Sequence, residues 1–169
     1  MSKQNNQKTN VQRLALGGLM AALVCVATSF FKLPVPITQG YIHLGDAFVL
    51  VSAAILGPLG VVAGAIGSML AVLLGGYFQY LLPTFVIKGL VALVVYAGLK
   101  GSKPFWVEWL VLIVAEALMV LGYFLAECLM YGAASAAGAV LPNVVQAIGG
   151  VVIGALLIPV FRRIMKRSG

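Results

Sequence analysis

Residues 104–130 read PFWVEWLVLIVAEALMVLGYFLAECLM. After its opening proline the stretch is apolar almost throughout, broken only by Glu108, Glu116 and Glu127 among ionisable residues. A bilayer-spanning helix needs about 20 apolar residues, so this segment can cross a membrane with some tilt. Proline suits the first position of a helix, where its missing N–H would be unpaired anyway. Pro58, Pro83 and Pro142 stand in the same relation to three further apolar runs. Working outward from 104–130, the sequence predicts helices over 11–31, 44–56, 58–75, 83–99, 104–130 and 142–164. The segment 32–41 carries Pro34 and Pro36 and is predicted to be extended. Residues 1–10 (MSKQNNQKTN) are polar and expected to be a disordered cytoplasmic tail, leaving 11–169 as one transmembrane domain. The fold class that follows is all-α, an integral membrane bundle of six transmembrane helices.

Composition agrees. The 169 residues are 62% hydrophobic and 9% charged, where soluble domains carry roughly 25% charged residues. That excludes a soluble globule and equally a disordered chain. Six spans consume roughly 120 residues and leave no room for a soluble domain. The N-terminal basic residues and apolar run resemble a signal peptide, but no A-x-A site closes the run. Helix 1 is therefore expected to be retained. Cys25 and Cys128 lie inside apolar stretches and read as small buried hydrophobes rather than as metal or disulfide partners.

The net charge of +7 is informative through its placement. Lys3, Lys8, Arg13, Lys100, Lys103, Arg162, Arg163, Lys166 and Arg167 fall in the two tails and in the loop between helices 4 and 5. With both termini in the cytoplasm all nine are inside, and only Lys32 lies in an outer loop. Basic residues flanking apolar runs are not the folded basic face of a nucleic-acid binder, so no nucleic-acid partner is expected.

Ionisable groups within a membrane cost about 2.5–3.5 kcal/mol each on insertion scales, and each therefore needs a reason. In this topology His43 and Asp46 open helix 2 from the outside, and Gln79 lies in the outer 3–4 loop. Lys88 is one turn into helix 4, and Glu127 is near the outer end of helix 5. Asn143 and Gln146 open helix 6, and Glu116 lies near mid-helix. Glu116, Tyr123 and Glu127 share one face of helix 5; Asn143, Gln146 and Gly150 share one face of helix 6. The polar groups converge on the outer half of the bundle, as a pocket for a small polar molecule would require. Asp46 and Lys88 have similar depth and either neutralise each other or serve a ligand. Tyr41, Tyr77, Phe78 and Tyr80 fit an aromatic belt or a stacking surface. Trp106 and Trp109 fall at the inner end of helix 5, so a ligand in the outer pocket is expected to leave their fluorescence almost unchanged.

Absent motifs narrow the function. The chain lacks G-x-x-x-x-G-K-[ST], H-E-x-x-H and G-x-S-x-G, so it neither binds ATP by a P-loop nor resembles a hydrolase, and no enzyme is expected. No series of acidic groups runs from one side to the other as a proton relay would need. An outer pocket above an apolar inner half implies capture without a through-path, and hence a separate motor. Small residues recur in helix 1 at Gly17, Gly18, Ala21 and Ala22, where they serve packing within the chain or docking to another membrane subunit.

The chain resembles the substrate-binding S components of energy-coupling factor (ECF) vitamin transporters. The resemblance is carried by RLALGGLMAAL at 13–23, YIHLGDA at 41–47, GPLG at 57–60 and IKGL at 87–90, and it covers the chain after residue 10. It implies a six-helix bundle in the bacterial plasma membrane that captures a vitamin or precursor from outside, with the outer loop between helices 1 and 2 as a lid. It further implies docking on a transmembrane T component coupled to two cytosolic ATPases, which bind the ATP; no cofactor is expected in this chain. The S component is then thought to topple in the membrane, which supplies the missing through-path. Docking in the family uses an Ala-x-x-x-Ala face on helix 1, matched here by Gly17 with Ala21 and Gly18 with Ala22. YIHLGDA looks most like the branch linked to hydroxymethylpyrimidine or pyridoxine uptake, to which riboflavin-type labels are also attached. The substrate-binding residues expected are Tyr41, His43, Asp46, Gln79, Tyr80, Lys88, Glu116, Tyr123, Asn143 and Gln146. The competing readings are a ligand-free structural or regulatory membrane subunit and an autonomous small carrier.

Overall fold

The computed structural model describes the backbone of residues 2–30, 33–35, 40–101 and 103–167, with side chains at 11–30, 43–101 and 103–165. Within these, six α-helices and one small hairpin follow in order. Helix α1 (Ser2–Phe30) leads to strands β1 (Leu33–Val35) and β2 (Gly40–Ile42). Then come α2 (Gly45–Leu56), α3 (Pro58–Leu74), a 3-10 turn (Phe78–Tyr80), α4 (Leu81–Gly98), α5 (Phe105–Tyr131) and α6 (Ala133–Arg167). The strands pair antiparallel, with Pro34 opposite Tyr41, which agrees with the extended conformation expected of this proline-containing segment.

Four helical segments are long and apolar enough to cross a membrane: Val11–Phe30, Phe78–Gly98, Phe105–Tyr131 and Ala133–Met165. Helices α2 and α3 are shorter apolar helices of 12 and 17 residues. The outward side chains of the bundle include Leu19 on α1, Leu70 on α3, Leu93 on α4, Leu121 on α5 and Leu156 on α6, all exposed. Helices apolar on both faces belong to a membrane bundle, whose solvent is itself apolar.

The short α2 is the hub. It packs against α1, α3, α4 and α6, while α1–α3, α3–α4, α4–α5 and α5–α6 pack in succession around it. Val49, Leu50, Val51 and Ser52 of α2 are fully buried. The α2–α3 corner depends on glycine twice. Gly57 has a φ of +60°, a left-handed conformation that costs glycine least. At Gly60 a Cβ would stand 1.8 Å from the Ser52 carbonyl oxygen, so the helices touch backbone to backbone. Ser52 Oγ lies 2.9 Å from the Gly60 carbonyl and 2.8 Å from that of Val49, closing the same contact.

Proline placement follows the expected rule only in part. Pro58 opens α3 and Pro104 caps α5, but Pro83 is the third residue of α4 and Pro142 lies inside α6. The α6 helix starts at Ala133 rather than 142 because 133–141 (AASAAGAVL) is rich in alanine, the strongest helix former. The backbone of α1 is helical from Ser2; the polar stretch has no Gly or Pro to stop it. The side chains of 1–10 lie outside the described residues.

Candidate functional site

The N-terminal turn of α2 places Asp46 in the interior, where the positive end of the helix dipole favours a carboxylate. Lys88 reaches it from α4 and forms an ion pair with Asp46 Oδ1; both residues are 0% exposed. The second oxygen, Oδ2, accepts a hydrogen bond from Gln146 Nε2 of α6 at 2.7 Å. Gln146 Oε1 in turn accepts the backbone N–H of His43 at 2.8 Å, tying α6 to the end of the hairpin. His43 Nδ1 accepts the N–H of Gly45 at 3.0 Å, so its ring fixes the start of α2. Gly45 is closely packed, because a Cβ there would stand 1.9 Å from Thr28 Oγ1 of α1.

A second layer lies toward the α4–α5 side. The Lys88 ammonium is 5.3 Å from the centroid of the Tyr123 ring. Tyr123 OH and Thr84 Oγ1 are hydrogen-bonded at 3.0 Å, and Tyr80 OH donates to Glu127 Oε1 at 3.1 Å. The rings of Tyr80 and Tyr123 lie 6.4 Å apart. Glu116 stands apart from these bonds. It is 1% exposed, and neither carboxyl oxygen has a hydrogen-bond partner among the described residues. It lies against Gly150 of α6, where a Cβ would meet Asp46 Cβ at 3.1 Å and Glu116 Oε1 at 3.2 Å. Glu116 also forms part of the wall of a cavity of about 390 Å³ between α5 and α6, otherwise lined by apolar residues that include Trp109, Ile113, Val120, Ala147 and Val151.

The sequence-derived site residues thus divide. Asp46, Lys88, Tyr123, Gln146, Tyr80 and Glu116 come together as a buried group, with His43 at its edge. Lys88 pairs with Asp46 and not with Glu116. Asn143 is half-buried one turn before Gln146. Gln79 is exposed in the 3-10 turn. The side chains of Tyr41 and of the rest of the expected lid lie outside the described residues. Phe78 points outward at 62% exposure whereas Tyr80 is buried, so the aromatic run splits between a belt and the interior. Sequence reasoning overlooked Thr84 and Met119. Thr84 precedes Lys88 by four residues on one face of α4, a signal that was available. Met119 Sδ lies 4.0 Å from Gln146 Nε2.

On α1 the two small-residue pairs face different ways. Gly17 packs against Leu59 of α3, and the Ala21 carbonyl oxygen lies 2.4 Å from where a Gly67 Cβ would stand. Gly18 and Ala22 are exposed, with open space beside Gly18.

A family model described as the S component of an ECF-type riboflavin transporter matches residues 8–163. The chain is 30% identical over 156 residues to the thiamine precursor transporter HmpT of Lactococcus lactis subsp. cremoris, covering 91% of this chain and 90% of that one. It is 36% identical over 132 residues to an uncharacterized protein of Pyrococcus woesei, covering 78% of this chain and 88% of the relative.

Proposed function

This chain belongs to the family of ECF-type transporter S components, a transporter subunit rather than an enzyme, and from that premise we propose that it captures a vitamin precursor from outside the cell. Hydroxymethylpyrimidine is the favoured ligand and pyridoxine the second. The observation that carries the reading is the polar group itself: Asp46, Lys88, Glu116, Tyr123 and Gln146 lie buried within an otherwise apolar bundle, where each costs insertion energy. The relative named as a thiamine precursor transporter favours the pyrimidine, a thiamine precursor, over riboflavin.

In this reading all six helices span a bacterial plasma membrane, with both termini and the 100–104 loop in the cytoplasm; the basic residues support that orientation. The binding residues are Tyr41, His43, Asp46, Gln79, Tyr80, Lys88, Glu116, Tyr123, Asn143 and Gln146, with 32–41 as lid. A T component docks on α1, and two cytosolic ATPases supply the ATP-driven step. The exposure of Gly18 and Ala22 favours that pair as the docking face over Gly17 and Ala21.

The test is mass spectrometry of a gently extracted preparation, which is expected to find a bound heterocycle, followed by uptake assays with and without T component and ATPases. Uptake by the chain alone would instead mark an autonomous carrier. The mutual satisfaction of Asp46, Lys88 and Gln146 favours a second reading, a ligand-free structural subunit. It predicts no copurified ligand and no thermal shift across a vitamin panel.

A further inference from the structure

The cavity between α5 and α6 opens outward, away from the buried polar group. Its lining residues Ile113, Ile148 and Val152 are 52%, 59% and 42% exposed, whereas the carboxyl oxygens of Glu116 are buried against Gly150. On a membrane bundle such an apolar groove faces lipid. Its α5 wall runs from Trp109 to Val120, eleven residues on, or about 16 Å at the helical rise. That is close to half of a hydrocarbon core of about 30 Å, the reach of one acyl chain in one leaflet. The Trp109 end of the groove is basic. Glu108, the acid beside it in sequence, is already paired with Arg162 at 2.8 Å. Lys103, just before α5, and Arg163, near the end of α6, are both exposed at that end of the bundle. Arg163 comes eleven residues after Val152, three turns along α6, so it continues the stripe that lines the groove and stands about 16 Å further on.

We infer that the α5–α6 groove seats one acyl chain of an anionic phospholipid, with the phosphate headgroup against Lys103 and Arg163. The apolar lining takes the chain, and the two exposed cations take the charge. A zwitterionic headgroup brings its own ammonium to a cluster that is already cationic, so it gains less there. Glu108 does not repel the phosphate, because Arg162 already matches its charge. Glu116 is then a partition: the chain lies on one side of it and the Asp46–Lys88 pair on the other. The inference depends on the bundle being embedded in a membrane and not on which molecule the protein captures.

Quenching of Trp109 by lipids brominated in the acyl chain tests it. The full chain carries Trp106→Phe, which leaves Trp109 as its one tryptophan. It is placed in phosphatidylcholine nanodiscs doped with brominated phosphatidylglycerol or brominated phosphatidylcholine. Half-maximal quenching is expected at a mole fraction at least about fivefold lower for the anionic lipid, the equivalent of one surface cation. Lys103→Gln with Arg163→Gln, both at exposed positions, is expected to bring the two lipids within about twofold of each other. Ala117→Phe, which fills the groove from an exposed lining position, is expected to weaken quenching by both lipids. Equal quenching in the parent chain, or a preference for the anionic lipid that survives the double charge variant, overturns the headgroup assignment and the inference with it. Quenching unchanged in Ala117→Phe places the chain outside the groove and also overturns it. A Trp109 that neither lipid quenches is covered by protein, such as a second copy or another subunit, and the inference fails. None of these results bears on vitamin capture, which the mass-spectrometric test decides separately.

Discussion

Removing one member of the Asp46–Lys88 pair should cost far more than removing both. Both side chains are fully buried, and among the described residues Gln146 is the only other group hydrogen-bonded to the Asp46 carboxyl. Lys88→Met leaves a buried carboxylate with one amide donor; Asp46→Leu leaves a buried ammonium over a tyrosine ring. Breaking a buried pair costs about 3–5 kcal/mol, whereas replacing both charges with apolar groups is often neutral or stabilising. Here the double variant also deprives Gln146 Nε2 of its acceptor, a penalty of about 1–3 kcal/mol. The expected coupling is therefore at least about 3 kcal/mol. At about 2–4 °C per kcal/mol for a chain of this size, each single variant should melt roughly 6–20 °C below wild type, and the double variant much closer to it. Thermal unfolding in detergent, followed by size-exclusion chromatography, measures the full cycle. If the two single losses simply add in the double variant, the groups are not a coupled pair and the reasoning fails.

Three further outcomes are expected. Gly60→Ala should prevent recovery of folded protein, since its Cβ would meet the Ser52 carbonyl at 1.8 Å, while Gly18→Ala should melt within about a degree of wild type; comparable yields of the two would contradict the α2–α3 contact. Ala22→Trp should spare ligand binding but block uptake by the assembled transporter, whereas Ala21→Trp should lower the melting temperature by disturbing α1 against α3. Should Ala22→Trp transport normally, the exposed pair is not the docking face. In Trp106→Phe, which removes the 67% exposed tryptophan, the emission of Trp109 should change when hydroxymethylpyrimidine binds, because Trp109 and Glu116 line one cavity. Calorimetric binding with no change in emission would place the ligand away from that cavity.

That last expectation reverses the one drawn from position along helix 5, and it shows where sequence reasoning stops. Depth along a helix is countable, so the similar depth of Asp46 and Lys88 already makes their pairing one open reading, beside pairing with Glu116 or with a ligand. The shared face of Glu116 and Tyr123 was equally visible. What cannot be counted is which neighbour a face meets. Trp109 is seven residues from Glu116 and lies on the same stripe, yet only the α5–α6 packing makes the two walls of one cavity. Gly17 and Gly18 are equivalent as small residues; the seating of Leu59 against Gly17 decides which faces inward. Pro142 suggests a start for α6, but the five alanines among 133–141 carry the helix past it. Gln146 looked like one more outer amide, and its bridge between Asp46 and the His43 backbone arises from contacts 100 and 103 residues apart in sequence.

The brevity of α2 has a consequence for access. At 1.5 Å per residue its 12 residues reach about 18 Å, against a hydrocarbon thickness of about 30 Å. Roughly 12 Å of depth at the centre of the bundle must be filled by something else. At the Asp46 end the adjoining chain is extended, and extended backbone at membrane depth has to be walled off from lipid by protein. There β2 packs against α6. The shortest helix of the bundle thus carries one of its most deeply buried charges.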